Sequence, residues 1–134
     1  MSEVLSLYNK LSSIAKDEFS DIVSVTELIG KKSLGSSKLR IHLRDGTYID
    51  IWISKGGKYS YHWEQRAKRG LIYRHDNAPD FSEISTFPKH FHDGSQENVK
   101  ESRISDKPEE AVREFLKFAR QKVGAEIRKM FRKN

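Results

Sequence analysis

Six side chains between His62 and His92 have the types needed to move protons around a phosphate: His62, Glu64, Arg74, Asp76, His90 and His92. An imidazole held by a carboxylate is a general base near neutral pH, and a guanidinium stabilises the charge of a phosphorane. His62 and Glu64 are two apart in YSYHWEQR, as are Arg74 and Asp76 in LIYRHD, so in extended strands each pair points to one side. If these strands form a hairpin with Lys68 to Gly70 as its loop, His62 lies opposite Asp76 and Glu64 opposite Arg74. Cross-strand ion pairs of purely structural kind have the same pattern, and both readings stand at this point.

His90 and His92 likewise share one side of any extended segment. A zinc ion would need further ligands, available only as His62, His75 or carboxylates because the chain has no Cys. Acid-base use or plain hydrogen bonding ranks above a metal, and no cofactor is expected. The lack of Cys also removes disulfides, iron-sulfur clusters and thiol nucleophiles. There is no phosphate-cradling glycine loop, no dinucleotide fingerprint and no serine nucleophile elbow. Tyr48 and Trp52 could stack on bases, but aromatic residues on strands are more often packed, and they are not counted as a site.

The net charge of +6 favours a polyanionic partner. All of that excess lies after residue 116, on a segment carrying Lys117, Arg120 and Arg128. These cations either meet RNA phosphates or complement a helix dipole on a solvated face, and such a helix could also receive an acidic segment of a partner protein. Arg66, Lys68 and Arg69 form a second basic group between the two candidate strands.

These residues need a scaffold, and one α+β domain spanning 1–134 is expected, with no repeat or linker to divide it. Val4, Leu7, Leu11, Ile14 and Ala15 recur at helical spacing, which predicts a helix from about Ser2 to Phe19. Ile22 to Ile29, the Leu39 to Leu43 set and the Ile49 to Ile53 set alternate at period two, giving strands that continue into the hairpin above. A two-residue turn at Asp45-Gly46 would put Leu43 and Ile49 on opposite faces. A three-residue loop ending with Gly46 in the left-handed conformation restores one apolar face. The sheet then has about five antiparallel strands. From Asn77 to Arg103 a long His-containing loop is expected, with at most one short strand. A last, basic amphipathic helix begins at Ser105 or Asp106, with Asp106 and Glu109 as a capping box and Val112 to Phe131 as its apolar stripe, packed on one face of the sheet. The N-terminus, interrupted by Glu3, Asn9, Lys10 and Lys16, has neither a signal peptide nor a membrane span, so a cytoplasmic location is expected.

YSYHWEQ (Tyr59 to Gln65), LIYRHDNAP (Leu71 to Pro79), STFPKHFHDG (Ser85 to Gly94) and ENV (Glu97 to Val99) followed by Ser102 together resemble the TumE-like toxins of type II toxin-antitoxin pairs. That resemblance implies a small antiparallel α+β domain and a cognate helix-turn-helix antitoxin, and by analogy with other compact toxins an action on RNA. It marks His62, Arg74, Asp76, Asn77, His90 and His92. Where the family often carries further histidines, this chain has Asp80, Phe81 and Lys89, so a mechanism that needs those imidazoles cannot operate here. The expected scheme is a metal-independent endoribonuclease: His62, oriented by Asp76, is the base, His90 or His92 the acid, and Arg74 stabilises the phosphorane. Arg66, Lys68, Arg69, Asn77, Lys117, Arg120 and Arg128 would contact the nucleic acid. A non-catalytic module that binds RNA, ribosome or protein, and a His-based metal-dependent hydrolase, remain the alternatives; a homodimer is left open.

Overall fold

Three consecutive segments alternate apolar and polar side chains, and each becomes a strand with one buried and one open face. In the computed structural model, which describes residues 3–30 and 37–132, these are β2 (Lys38–Leu43), β3 (Tyr48–Ile53) and β4 (Tyr59–Gln65). They form the middle of a seven-stranded antiparallel sheet, with β1 (Val23–Ile29) on one side and β5 (Leu71–Asp76), β6 (His90–Gly94) and β7 (Val99–Glu101) on the other. Strand order follows the chain, so each strand pairs with its sequence neighbour.

The first hairpin has the odd loop that the apolar pattern demands. Leu43 donates its N–H to Thr47 O at 2.9 Å, and Gly46 takes φ +91°, where a side chain is strained. Asp45 Oδ1 accepts from both the N–H and the hydroxyl of Thr47, and that hydroxyl oxygen accepts the buried Trp63 indole N–H at 2.8 Å.

The second hairpin departs from expectation. Residues 66–69 form one helical turn, α2 (Arg66–Arg69), closed by Gly70 at φ +71°. Gln65 therefore pairs with Leu71, His62 with Arg74, and Ser60 with Asp76. This register is two residues away from the predicted one, which leaves every side chain on its expected face but changes all the partners. The turn is anchored on the first hairpin: Arg69 donates to Gln65 Oε1 at 2.6 Å and to Asp45 Oδ2 at 2.8 Å, and Lys68 to Asp45 O at 2.7 Å.

Two helices, α1 (Glu3–Glu18) and α3 (Pro108–Arg132), cover the apolar face. Tyr8, Leu11, Ile14 and Ala15 of α1 and Val112, Phe115, Leu116 and Ala119 of α3 pack on Ile41, Ile49, Ile51, Tyr61 and Trp63. Phe118 sets its ring edge against Trp63, Tyr73 and Phe91. Ser2, where the first helix was predicted to begin, lies outside the described residues. The turn into α3 is tied by Ser105, whose N–H reaches Glu114 Oε1 and whose hydroxyl accepts from Lys107 N; Asp106, predicted as the cap, instead meets Lys89 at 3.2 Å. The apolar stripe of α3 also runs past its cover, leaving Ile127, Met130 and Phe131 exposed. Among the described residues no helix is long and apolar enough to cross a membrane.

The segment Asn77 to Arg103 holds two strands rather than one, which raises the sheet from the expected five strands to seven. β6 reads HFHDG and β7 only VKE, compositions without the β-branched alternation that marks β2 and β3. They pair because Arg74 and Asp76 offer β6 an unfilled edge, with Arg74 opposite His92 and Asp76 opposite His90.

Candidate functional site on the open face of the sheet

With both helices on one face, the other is free to carry polar chemistry. Register sets a row of polar side chains across five strands: Arg40, Asp50, His62, Arg74 and His92 face one another in turn. Tyr48 and Trp52 flank Asp50 on the same face, opposite Glu64 and Ser60. Lys38, Arg40, Tyr48, Trp52, His62, Glu64, Arg66 and Arg74 line a groove of about 400 Å³.

His62 stands between one acceptor and one donor. Glu64 Oε1 is 3.0 Å from Nε2 and Arg74 Nη1 is 3.3 Å from Nδ1, so the tautomer with its hydrogen on Nε2 satisfies both. Burial lowers the His62 pKa, opposed by the Glu64 hydrogen bond, while the Arg74 charge lowers it further. The imidazole is therefore neutral at physiological pH. Glu64 is clamped by Arg66, whose Nη2 is 2.6 Å from Oε1 and whose backbone N–H reaches Oε2 at 2.9 Å. The Arg66 contact, then that of His62, holds its carboxyl down at about 2. The expected orienting role of Asp76 is thus filled by Glu64, because the two-residue displacement carries Asp76 away from His62. The predicted Glu64–Arg74 opposition is likewise replaced by Glu64 against Ile72.

Asp76 meets the histidines of β6 instead. Its Oδ1 lies 3.0 Å from His90 Nε2 and its Oδ2 3.8 Å from His92 Nε2. Arg74 Nε donates to Oδ2 at 3.0 Å and Ala78 N to Oδ1 at 3.0 Å. His90 and His92 are 1% and 4% exposed, and the Phe81 ring lies against both imidazoles. Neither faces the groove as the proton donor of the expected scheme would have to. Arg74 joins the two clusters, its remaining nitrogen donating to Gln96 Oε1 at 2.6 Å.

The nucleic-acid candidates are scattered. Arg66 borders the groove, whereas Lys68 and Arg69 are engaged with Asp45. Asn77 ties strand ends, accepting from Tyr59 N and donating to Gly57 O. Arg120 pairs with Asp21 and covers the Phe19 ring, while Lys117 and Arg128 are exposed on α3, across the sheet from His62. His75 points to the helix side, stacked 4.2 Å from Phe91, and burial lowers its pKa to about 4.

The sequence reading weighed Tyr48 and Trp52 as base-stacking groups and set them aside, and it did not consider Lys38 and Arg40. The signal was present: once Gly46 sets the first hairpin, Tyr48 and Trp52 share the parity of Asp50 and must lie opposite the buried isoleucines.

Among protein families, the model described as Toxin TumE matches residues 10–123. No curated protein and no solved structure matches the chain. That match takes in the second half of α1, the whole sheet and most of α3, and the chain belongs to the TumE toxin family.

Proposed function

We propose that this toxin is an RNA-directed, metal-independent endoribonuclease of the cytoplasm, restrained by a helix-turn-helix antitoxin, and that the open-face groove takes a single-stranded segment. The observation that carries this reading is the groove itself, where two aromatic side chains and four cations surround one neutral, carboxylate-held imidazole. Trp52 and the face of Tyr48 not covered by the Arg40 guanidinium, which lies 3.9 Å from the ring centre, are open to bases, while Arg66 and Arg74 offer charge for phosphates. Arg40, at 2.8 and 3.0 Å, and Lys38, at 2.8 Å, are already spent on Asp50.

The chemistry needs one movement. When the guanidinium of Arg74 turns from His62 to an incoming phosphate, Nδ1 is freed as a base for the ribose 2′-hydroxyl. The 2′-oxygen attacks phosphorus, its proton passing to Nδ1, and Glu64 stabilises the resulting imidazolium through Nε2–H. Arg74 offsets the charge of the phosphorane. Collapse expels the 5′-oxygen, which takes the proton back from His62, leaving a 2′,3′-cyclic phosphate. One imidazole thus serves as base and acid, since His90 and His92 are buried away from the groove.

That burial also favours a second reading, in which the groove binds RNA without cutting it. Incubation of end-labelled RNA with the purified chain and with His62→Ala, each with and without EDTA, tests the choice. Cleavage that resists EDTA and vanishes in His62→Ala is expected; intact RNA that still shifts in a gel would establish binding without chemistry. Coexpression with a candidate helix-turn-helix antitoxin is expected to give a stable complex, and failure to copurify would remove the antitoxin assignment.

A further inference from the structure

The cluster beneath Phe81 has no part in that scheme. A neutral imidazole has one N–H. In His90 and His92 it is committed to the backbone, with Nδ1 3.0 Å from Pro88 O and 2.9 Å from Gln96 O. Both Nε2 atoms then present lone pairs, and both are aimed at the carboxylate of Asp76, 3.0 and 3.8 Å away. The Arg74 guanidinium answers the carboxylate at Oδ2, but the two Nε2 lone pairs still face that carboxylate in a largely enclosed place, an arrangement that is unfavourable unless something positive sits among them.

We propose that Asp76, His90 and His92 bind a single divalent transition-metal ion of the zinc class. Tetrahedral zinc with bonds of about 2.0–2.1 Å places neighbouring donors roughly 3.3 Å apart. One donor atom from each residue lies within 4.8 Å of the other two, and His90 Nε2 and His92 Nε2 stand 3.0 Å from Oδ1 and 3.8 Å from Oδ2 of Asp76, so a small adjustment would reach the tetrahedral spacing. Imidazole with one carboxylate selects zinc, cobalt or nickel over magnesium and calcium, which prefer all-oxygen shells. The outer shell is also in place. Each imidazole is oriented by a backbone carbonyl through its far nitrogen, and the carboxylate is oriented by Ala78 N and Arg74 Nε, the partners that metal ligands characteristically have. Three protein donors leave one position for a solvent oxygen. The ion would join the end of β5 to β6 and, through Phe81, close the segment between them. It does not depend on the RNA reading, since none of its ligands lines the groove.

The alternative occupant is a proton that makes His90 an imidazolium paired with Asp76, and the two are separable. The full-length chain, stripped with chelator and titrated with Zn²⁺ against a competing indicator, is expected to bind one equivalent. Co²⁺ should give visible absorption of tetrahedral intensity. His62→Ala should bind as wild type does, whereas His92→Ala and Asp76→Asn should lose more than the roughly 10–100-fold expected of outer-shell changes. Because His92 and Asp76 are enclosed and those variants can misfold, ring nitrogen NMR of the wild type provides an independent readout. Zn²⁺ must move the Nε2 resonances of His90 and His92 and leave those of His42 and His62 in place. Absence of saturable binding, or binding that leaves those two rings unmoved, overturns the site. RNA cleavage is not read in any of these measurements, so the metal site and the nuclease can fail separately.

Discussion

Replacing Glu64 with Gln tests the groove chemistry at the group that the structure puts in charge of His62. The amide oxygen can still accept the Nε2–H bond now made at 3.0 Å, so the neutral ground state is little changed. The difference arises when Nδ1 takes the proton from the 2′-hydroxyl and the ring becomes a cation. A hydrogen bond from a charged donor to a charged acceptor exceeds a neutral one by about 1–2 kcal/mol, which corresponds to roughly 5- to 30-fold in rate. Arg66, 2.6 Å from the same oxygen, already neutralises part of the Glu64 charge, which places the expected loss toward the lower end. The assay is single-turnover cleavage of an end-labelled oligoribonucleotide at saturating protein, with affinity measured separately by anisotropy. Glu64→Gln should slow cleavage without weakening binding, and adding it to His62→Ala should cost nothing further, because both act through one proton. A Glu64→Gln variant that cleaves at the wild-type rate, or losses that simply multiply in the double variant, would refute the reasoning.

Trp52→Ala should weaken the binding of single-stranded RNA by about 1–3 kcal/mol, the value of one stacked base, while leaving the saturated cleavage rate nearly intact; fluorescence anisotropy measures it. Because burial lowers the His62 pKa, the active neutral base persists below the ordinary value of 6.5 and is lost only as pH falls through the depressed one, so the acid limb of a cleavage pH profile should lie below 6.5. A limb above 6.5 would mean that another group is the base. Thr47→Val removes the acceptor of the buried Trp63 N–H and should destabilise the fold by about 1–3 kcal/mol in urea denaturation, with an unchanged slope.

The two hairpins differ in how much the sequence discloses. In the first, an even loop would have split Leu43 from Ile49, so hydrophobic burial itself excludes the wrong answer, and the Gly46 loop is found where parity requires it. In the second, loops of three and five residues keep Trp63 and Tyr73 equally buried, and burial has no preference between them. What decides is local. Arg66 to Arg69 are adequate helix formers ahead of a glycine, and Asp45 from the first hairpin is there to receive Arg69 and Lys68. The second cause lies in tertiary contact and cannot be read from the segment alone. β6 and β7 were hidden for a related reason: their pairing depends on the edge left by β5, not on their own propensity.

The same ambiguity explains why the candidate residues of the hairpin lie on the expected face with other partners than those expected. Parity placed His62, Glu64, Arg74 and Asp76 on one face and His90 and His92 on one side of their own segment; the pairing of β6 with β5 brings the six together, and only register assigns carboxylates to imidazoles. Side-chain length then completes the division. Residues two apart on a strand are separated by about 6.6–6.8 Å, a gap that Glu64 and Arg74 span to reach His62 and Asp76, respectively. Asp76, one methylene shorter than Glu, finds its imidazoles across the strand pair, at His90 and His92. An acid-base set expected at one centre is thereby drawn into two, an imidazole at the rim of an open groove and a closed pair of imidazoles on a carboxylate. Arg74 touches both, so a change in the closed cluster that alters its hold on Asp76 also alters the donor that, in the proposed scheme, leaves His62 as RNA binds.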